Sequence, residues 1–146
     1  MIEGAFMITC GVEIKGSEAI LCLLSKQDGL FQIPDCRQIR LALSQPNDSE
    51  SVRKFQFTLK KLFEDYKVTH VAIKERPTKG KFAGGAIGFK IEAAIQLIDT
   101  VQVNLYNNAS IKETLQSHPL PVAFKATGLK AFQENAFTVA YVALSS

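Results

Sequence analysis

Val68-Thr69-His70-Val71-Ala72-Ile73 is a short β-branched run that reads as a strand, and its flanks set the architecture. Upstream, Gln45-Pro46-Asn47-Asp48-Ser49 supplies breakers and helix caps. Val52, Phe55, Leu59, Leu62, Phe63 and Tyr66 follow on one helical face. Downstream, Ile87, Ile91, Ala94, Ile95 and Ile98 form a helical stripe within Ala83 to Ile98. Thr100 to Tyr106 then alternates Val101, Val103 and Leu105 as another strand. Two strands of one sheet joined through a helix run parallel, and the right-handed crossover places that helix on a face of the sheet.

Further out, the N-terminal third reads as three strands: Phe6 to Glu13, Glu18 to Ser25 and Arg37 to Leu43. Lys15-Gly16-Ser17 and Asp28-Gly29 are turn signals, and the short connections predict an antiparallel meander. On the C-terminal side, Ser110-Ile111-Lys112-Glu113 matches a capping box, so a helix is expected from there to the Pro119-Leu120-Pro121 break. A last helix is expected from Gly128 to Leu144, with Leu129, Phe132, Ala136, Val139, Ala140 and Ala143 facing inward. The order β-β-β-α-β-α-β-α-α predicts an α/β fold. Its mixed sheet has three antiparallel strands, then parallel strands, with helices on both faces.

Composition agrees with one domain over residues 1–146, in which residues 1–6 read as a loose N-terminal extension. The 146 residues are 47% hydrophobic and 21% charged, with a net charge of +3, which suits a single packed core and argues against disorder. No apolar run reaches the about 18–20 residues of a membrane span, and the N-terminus lacks the pattern of a secretory signal. Cys10, Cys22 and Cys36 are an odd set without C-x-x-C spacing, and His70 and His118 stand far apart. A reduced cytoplasmic protein without a structural zinc site is expected.

Charge is concentrated in one place. The segment Lys74 to Lys90 carries Lys74, Arg76, Lys79, Lys81 and Lys90 against a single acid, Glu75. It therefore holds +4 of a chain whose total is +3, which leaves −1 for the rest. It joins a strand end to a helix start, the place where open α/β sheets bind ligands and where free N–H groups meet phosphate. No P-loop or dinucleotide-binding glycine pattern fits it.

Two further acids complete a candidate constellation. Glu13 closes the first strand, and a first strand lying parallel to the fourth would bring it close to Glu75. Glu134 sits in the apolar final helix, on a face with Phe137, Thr138 and Tyr141. Clustered carboxylates repel unless they share a cation, and acids beside basic residues suit two-metal phosphoryl transfer. Glu92 is a fourth candidate of lower rank. Each glutamate also has a plainer reading, as a surface residue or a salt-bridge partner.

The element order resembles the ribonuclease H-like fold. Gly11-Val12-Glu13-Ile14-Lys15-Gly16-Ser17 is similar to the G-[IV]-D-P-G-S opening of RuvC-type resolvases. Val71-Ala72-Ile73-Lys74-Glu75 resembles the second acidic strand of that group, and Glu134-Asn135-Ala136-Phe137-Thr138-Val139-Ala140 resembles its closing acidic helix. The whole chain also resembles a small uncharacterised bacterial family carrying Lys79-Gly80-Lys81-Phe82-Ala83-Gly84-Gly85. The resemblance implies a metal-dependent nuclease acting on structured nucleic acid. Glu13, Glu75 and Glu134 would hold Mg²⁺ or Mn²⁺, and Lys74, Arg76, Lys79, Lys81 and Lys90 would contact phosphates.

The chain departs from that pattern in three ways. Glu13 replaces an Asp, Lys74 falls on the acidic position of A-I-E, and Glu134 is a single acid where two are usual. In a strand, a one-residue shift to Glu75 turns the side chain to the other face unless a bulge intervenes. The alternative reading is a non-catalytic nucleic-acid-binding module with a degenerate site. A third is a protein-interaction or homodimer scaffold, built on Phe137 and Tyr141 if no further layer covers them.

Overall fold

The computed structural model describes residues 7–79 and 85–145. Its strands are β1 (Met7–Lys15), β2 (Glu18–Gln27), β3 (Leu30–Gln32), β4 (Arg40–Ala42), β5 (His70–Lys74) and β6 (Gln102–Tyr106). Its helices are α1 (Ser49–Asp65), α2 (Ala86–Gln96), α3 (Asn108–Ser117) and α4 (Glu134–Ser145), with 3₁₀ turns at Phe124–Thr127 and Ala131–Gln133. The strands form one mixed sheet in the order β3-β2-β1-β5-β6, and β4 pairs with the other end of β2. β1 is antiparallel to β2 and parallel to β5, which is parallel to β6.

Each expected strand and helix has a counterpart, with revised limits. The third strand shrinks to β4, and β3, absent from the sequence reading, is added by a two-residue hairpin. Asp28 and Gly29 form its loop at φ of 53° and 81°. Two successive positive φ values give the turn the twist that strand pairs require. The capping box at Ser110 is displaced by Asn107, whose Oδ1 accepts from the Ser110 N–H at 2.8 Å. The last helix begins six residues later than expected, because Gly128 turns the chain at φ 78°. Gln133 then ties down the turn before α4, accepting from the Lys130 N–H and donating to the Leu21 carbonyl.

Strand alternation divides the core in two. Cys10, Val12, Ile14, Val71 and Ile73 point toward α1 and α2, where Phe55, Leu59, Leu62, Phe63, Ile91 and Ile95 are buried. Each such side chain contributes about 1.5–3 kcal/mol by leaving water. The opposite face carries Ile20, Cys22 and Leu24 against Ala136, Phe137, Ala140 and Tyr141 of α4. Gly11 lies on this α4 face. A Cβ there would stand 1.9 Å from the Ala136 carbonyl oxygen, so only glycine lets helix and strand approach this closely.

Phe137 and Tyr141 are buried, and the Tyr141 hydroxyl donates to the carbonyls of His118 and Pro119. The segment after α3 covers them, which removes the exposed surface on which the scaffold reading stood. Cys10 and Cys22 are free and buried, and burial pushes the Cys22 thiol up to about 12. Among the described residues, no helix is long and apolar enough to cross a membrane.

Candidate functional site

β1, β5 and β6 run in one direction, so their C-terminal ends share a rim. α2 and α3 begin beside it, and Asn135 in the first turn of α4 reaches it through a hydrogen bond to Glu13. Helix N-termini carry partial positive charge and unpaired N–H groups, so the rim is electropositive before any side chain is counted. A cavity of about 200 Å³ opens there, lined by Glu13, Ile14, Lys74, Glu75, Arg76, Pro77 and Asn108.

Register fixes which side chains are neighbours. Gly11 pairs with Ala72 and Val12 with Ile73, so one further step along both strands sets Glu13 beside Lys74. Both belong to the face that α4 covers. The Glu13 Oε2 accepts from Asn135 Nδ2 at 2.8 Å. Glu13 thus accepts from an amide donor and shares its face and cavity with Lys74, which stands where the resemblance implied an acid.

Glu75 follows without a bulge, its N–H donating to the Tyr106 carbonyl at 2.9 Å to extend the ladder by one residue. Its position belongs to the opposite face, toward α2. Glu92 of α2 is buried there, and its carboxyl is held above its ordinary value. Burial is the main cause and the Glu75 charge adds to it, while Arg76 acts in the other direction. One oxygen of Glu92 and Nη1 of Arg76 are buried without a hydrogen-bond partner.

Arg76 is seated on α2. A Cβ at Gly88 would fall 1.5 Å from its Nη1, and the guanidinium carbon lies 5.9 Å from the Phe89 ring centre. Gly88 was not singled out from sequence, and neither was Asn108 in the cavity wall. The cue for Gly88 is a glycine inside a helix of otherwise continuous apolar periodicity, where it costs helix stability and so points to a packing or functional reason.

The remaining basic residues separate. Lys79 is exposed, and Lys81 lies outside the described residues. Lys90 turns away from the rim, donating to the Pro46 carbonyl at 2.5 Å. Glu134 is exposed at the start of α4 and is not part of the cavity wall.

The Mg²⁺ or Mn²⁺ that the resemblance implies would need several carboxylates gathered at one point. Among the described residues, no group of three or more His, Cys, Asp and Glu is gathered to hold a metal ion. Glu13 and Glu75 reach one cavity from opposite faces of the sheet, Glu134 is not in its wall, and Lys74 occupies the register position beside Glu13. These residues do not fit a carboxylate-bridged metal centre.

The comparisons agree with the architecture. A family model described as "Protein of unknown function (DUF3010)" matches residues 7–143, and the chain belongs to that family. No curated protein matches by sequence. Thermus thermophilus RuvC superposes with a TM-score of 0.71 at 15% identity, covering 95% of this chain and 94% of that one. RuvC from the same organism, in complex with Holliday junction substrate, gives 0.65 at 14% identity over 95% and 93% of the two chains. The fold is the ribonuclease H-like fold of RuvC.

Proposed function

We propose that this member of the DUF3010 family is a nucleic-acid-binding module that grips the phosphodiester backbone at the C-terminal rim of its sheet. It does so without a catalytic metal centre. The reading rests on one observation above the others: Lys74 and Arg76 line a cavity bounded by the first residue of α3. Two cations beside a helix N-terminus form a receptor for a phosphate group, with Lys as a point charge and Arg as a directional donor. Lys79, exposed on the same loop, extends the basic surface. Such contacts position a strand without reading its bases. The likeness to a junction-bound RuvC makes branched DNA the first ligand to test.

Fluorescence anisotropy with branched and linear duplexes over a series of salt concentrations tests the reading. Wild-type protein is expected to bind, with log K falling linearly in log salt. Lys74→Ala with Arg76→Ala should flatten that line by about 0.9 for each phosphate the variant no longer neutralises. No binding at low salt, or an unchanged slope, would overturn it. The metal-dependent nuclease reading keeps one observation in its favour, since Glu13 and Glu75 line the same cavity. Cleavage of branched DNA in millimolar Mn²⁺, abolished by Glu13→Ala, would put that reading in place of ours.

A further inference from the structure

We infer that the Lys74 ammonium occupies the place of a metal ion, as a covalently attached cation that neutralises Glu13 and serves the phosphate group directly. This deepens the binding reading above and rests on it for the identity of the ligand, but its central test needs no nucleic acid.

The register carries the inference. β1 and β5 are parallel neighbours paired as far as Val12 and Ile73, so Glu13 and Lys74, the next residue on each, share one face, and such strands stand about 4.8 Å apart. A carboxylate at each position could share a divalent ion. With lysine at one of them, the positive charge comes from the chain itself. The Asn135 donor to Glu13 completes the replacement, supplying a neutral N–H where a second carboxylate would require another cation. The site is thereby balanced without metal, and an ammonium lining that cavity provides the attraction a metal would otherwise give.

If lysine stands in for the metal, removing it should restore a demand for one. Lys74→Glu leaves two carboxylates side by side at the end of the sheet. It is expected to gain one Mn²⁺ per chain by calorimetric titration and by the loss of the free Mn²⁺ electron-spin-resonance signal. Wild type and Lys74→Gln should show no saturable uptake at millimolar Mn²⁺, and adding Glu13→Ala to Lys74→Glu should abolish the gain.

Thermal melts of the same variants establish that each is folded. Should Lys74→Glu fail to fold, Lys74→Asp and the wild-type titration decide in its place. Stoichiometric Mn²⁺ binding to wild-type protein, lost in Glu13→Ala, would overturn the inference. A folded acidic variant that takes up no metal would do the same. A second measurement separates this inference from the binding reading. If wild type binds DNA, its affinity should be equal in EDTA and in Mg²⁺, while Lys74→Glu should lose more than about tenfold in EDTA and recover in Mg²⁺. If wild type binds no DNA, the proposed function falls and the Mn²⁺ titration still decides the inference.

Discussion

Asn135 donates to Glu13 across 2.8 Å and so ties the first turn of α4 to the end of β1. Residues 122 positions apart are joined where strand ends meet helix starts. The bond lies in the open, so its net worth is modest. Asn135→Ala is expected to cost about 0.5–1 kcal/mol in urea unfolding. Asn135→Asp should cost more at neutral pH, because two carboxylates then face each other at hydrogen-bond distance. That extra cost should fade as acid protonates one of them. Equal losses for the two variants at pH 7 would show that Glu13 does not feel position 135.

Below this bond, Gly11 is the point where α4 lies directly on the sheet. Gly11→Ala brings a methyl group into the Ala136 carbonyl and within 2.8 Å of the Ala140 Cβ. Neither neighbour is the tip of a flexible side chain, so the helix itself must move. A loss of about 1–3 kcal/mol is expected, read as a lower urea midpoint. A midpoint equal to wild type would mean that α4 does not pack at this distance.

The sheet and its crossovers were legible because their signals are local and periodic. Phe55, Leu59, Leu62 and Phe63 recur at helical spacing, and Val71 and Ile73 sit in a short run bounded by polar residues. β3 was not legible, since three residues provide no alternation to count and only the Asp28-Gly29 turn announces it. The late start of α4 depended on Gln133 reaching the Leu21 carbonyl, a contact spanning 112 positions. Such contacts leave no mark in a window of sequence.

The candidate site was legible in composition but not in arrangement. The basic segment and Glu13 were found from the sequence, and Lys74, Glu75 and Arg76 do reach one cavity with Glu13. The sequence could not say which face Glu75 would take, because a single bulge would have reversed it. Without a bulge, Glu75 faces α2 and Lys74 is left beside Glu13. Lys90 counted toward the same cluster by proximity in sequence, yet the first turns of α2 carry it to Pro46.

Arg76 offers a test in which stability and binding move separately. Gly88→Ala puts a methyl group where its guanidinium now rests, and a flexible side-chain tip can yield. Alanine also favours the helix by about 0.8–1 kcal/mol. The variant should therefore melt at or above the wild-type temperature while losing DNA affinity to the level of Arg76→Ala. Combining the two substitutions should add nothing further. Additive losses would place the effect of position 88 outside Arg76.

Glu92 makes a pH prediction whose sign follows from its surroundings. Burial, reinforced by Glu75, raises its carboxyl in the folded protein above its ordinary value, with Arg76 opposing. Between the unfolded and folded titration points, the native state holds a proton that the unfolded chain has released. Unfolding free energy from this group therefore falls as pH rises through that window, and stays flat above and below it. Glu92→Gln keeps the shape of the side chain and removes the titration. Its urea stability relative to wild type should be smallest in acid, rise through the carboxylate range and level off once Glu92 is ionised in the fold. Glu75→Gln should narrow that window by removing the second cause. A wild-type minus Glu92→Gln difference that is constant with pH would mean the Glu92 carboxyl titrates alike in the folded and unfolded chain.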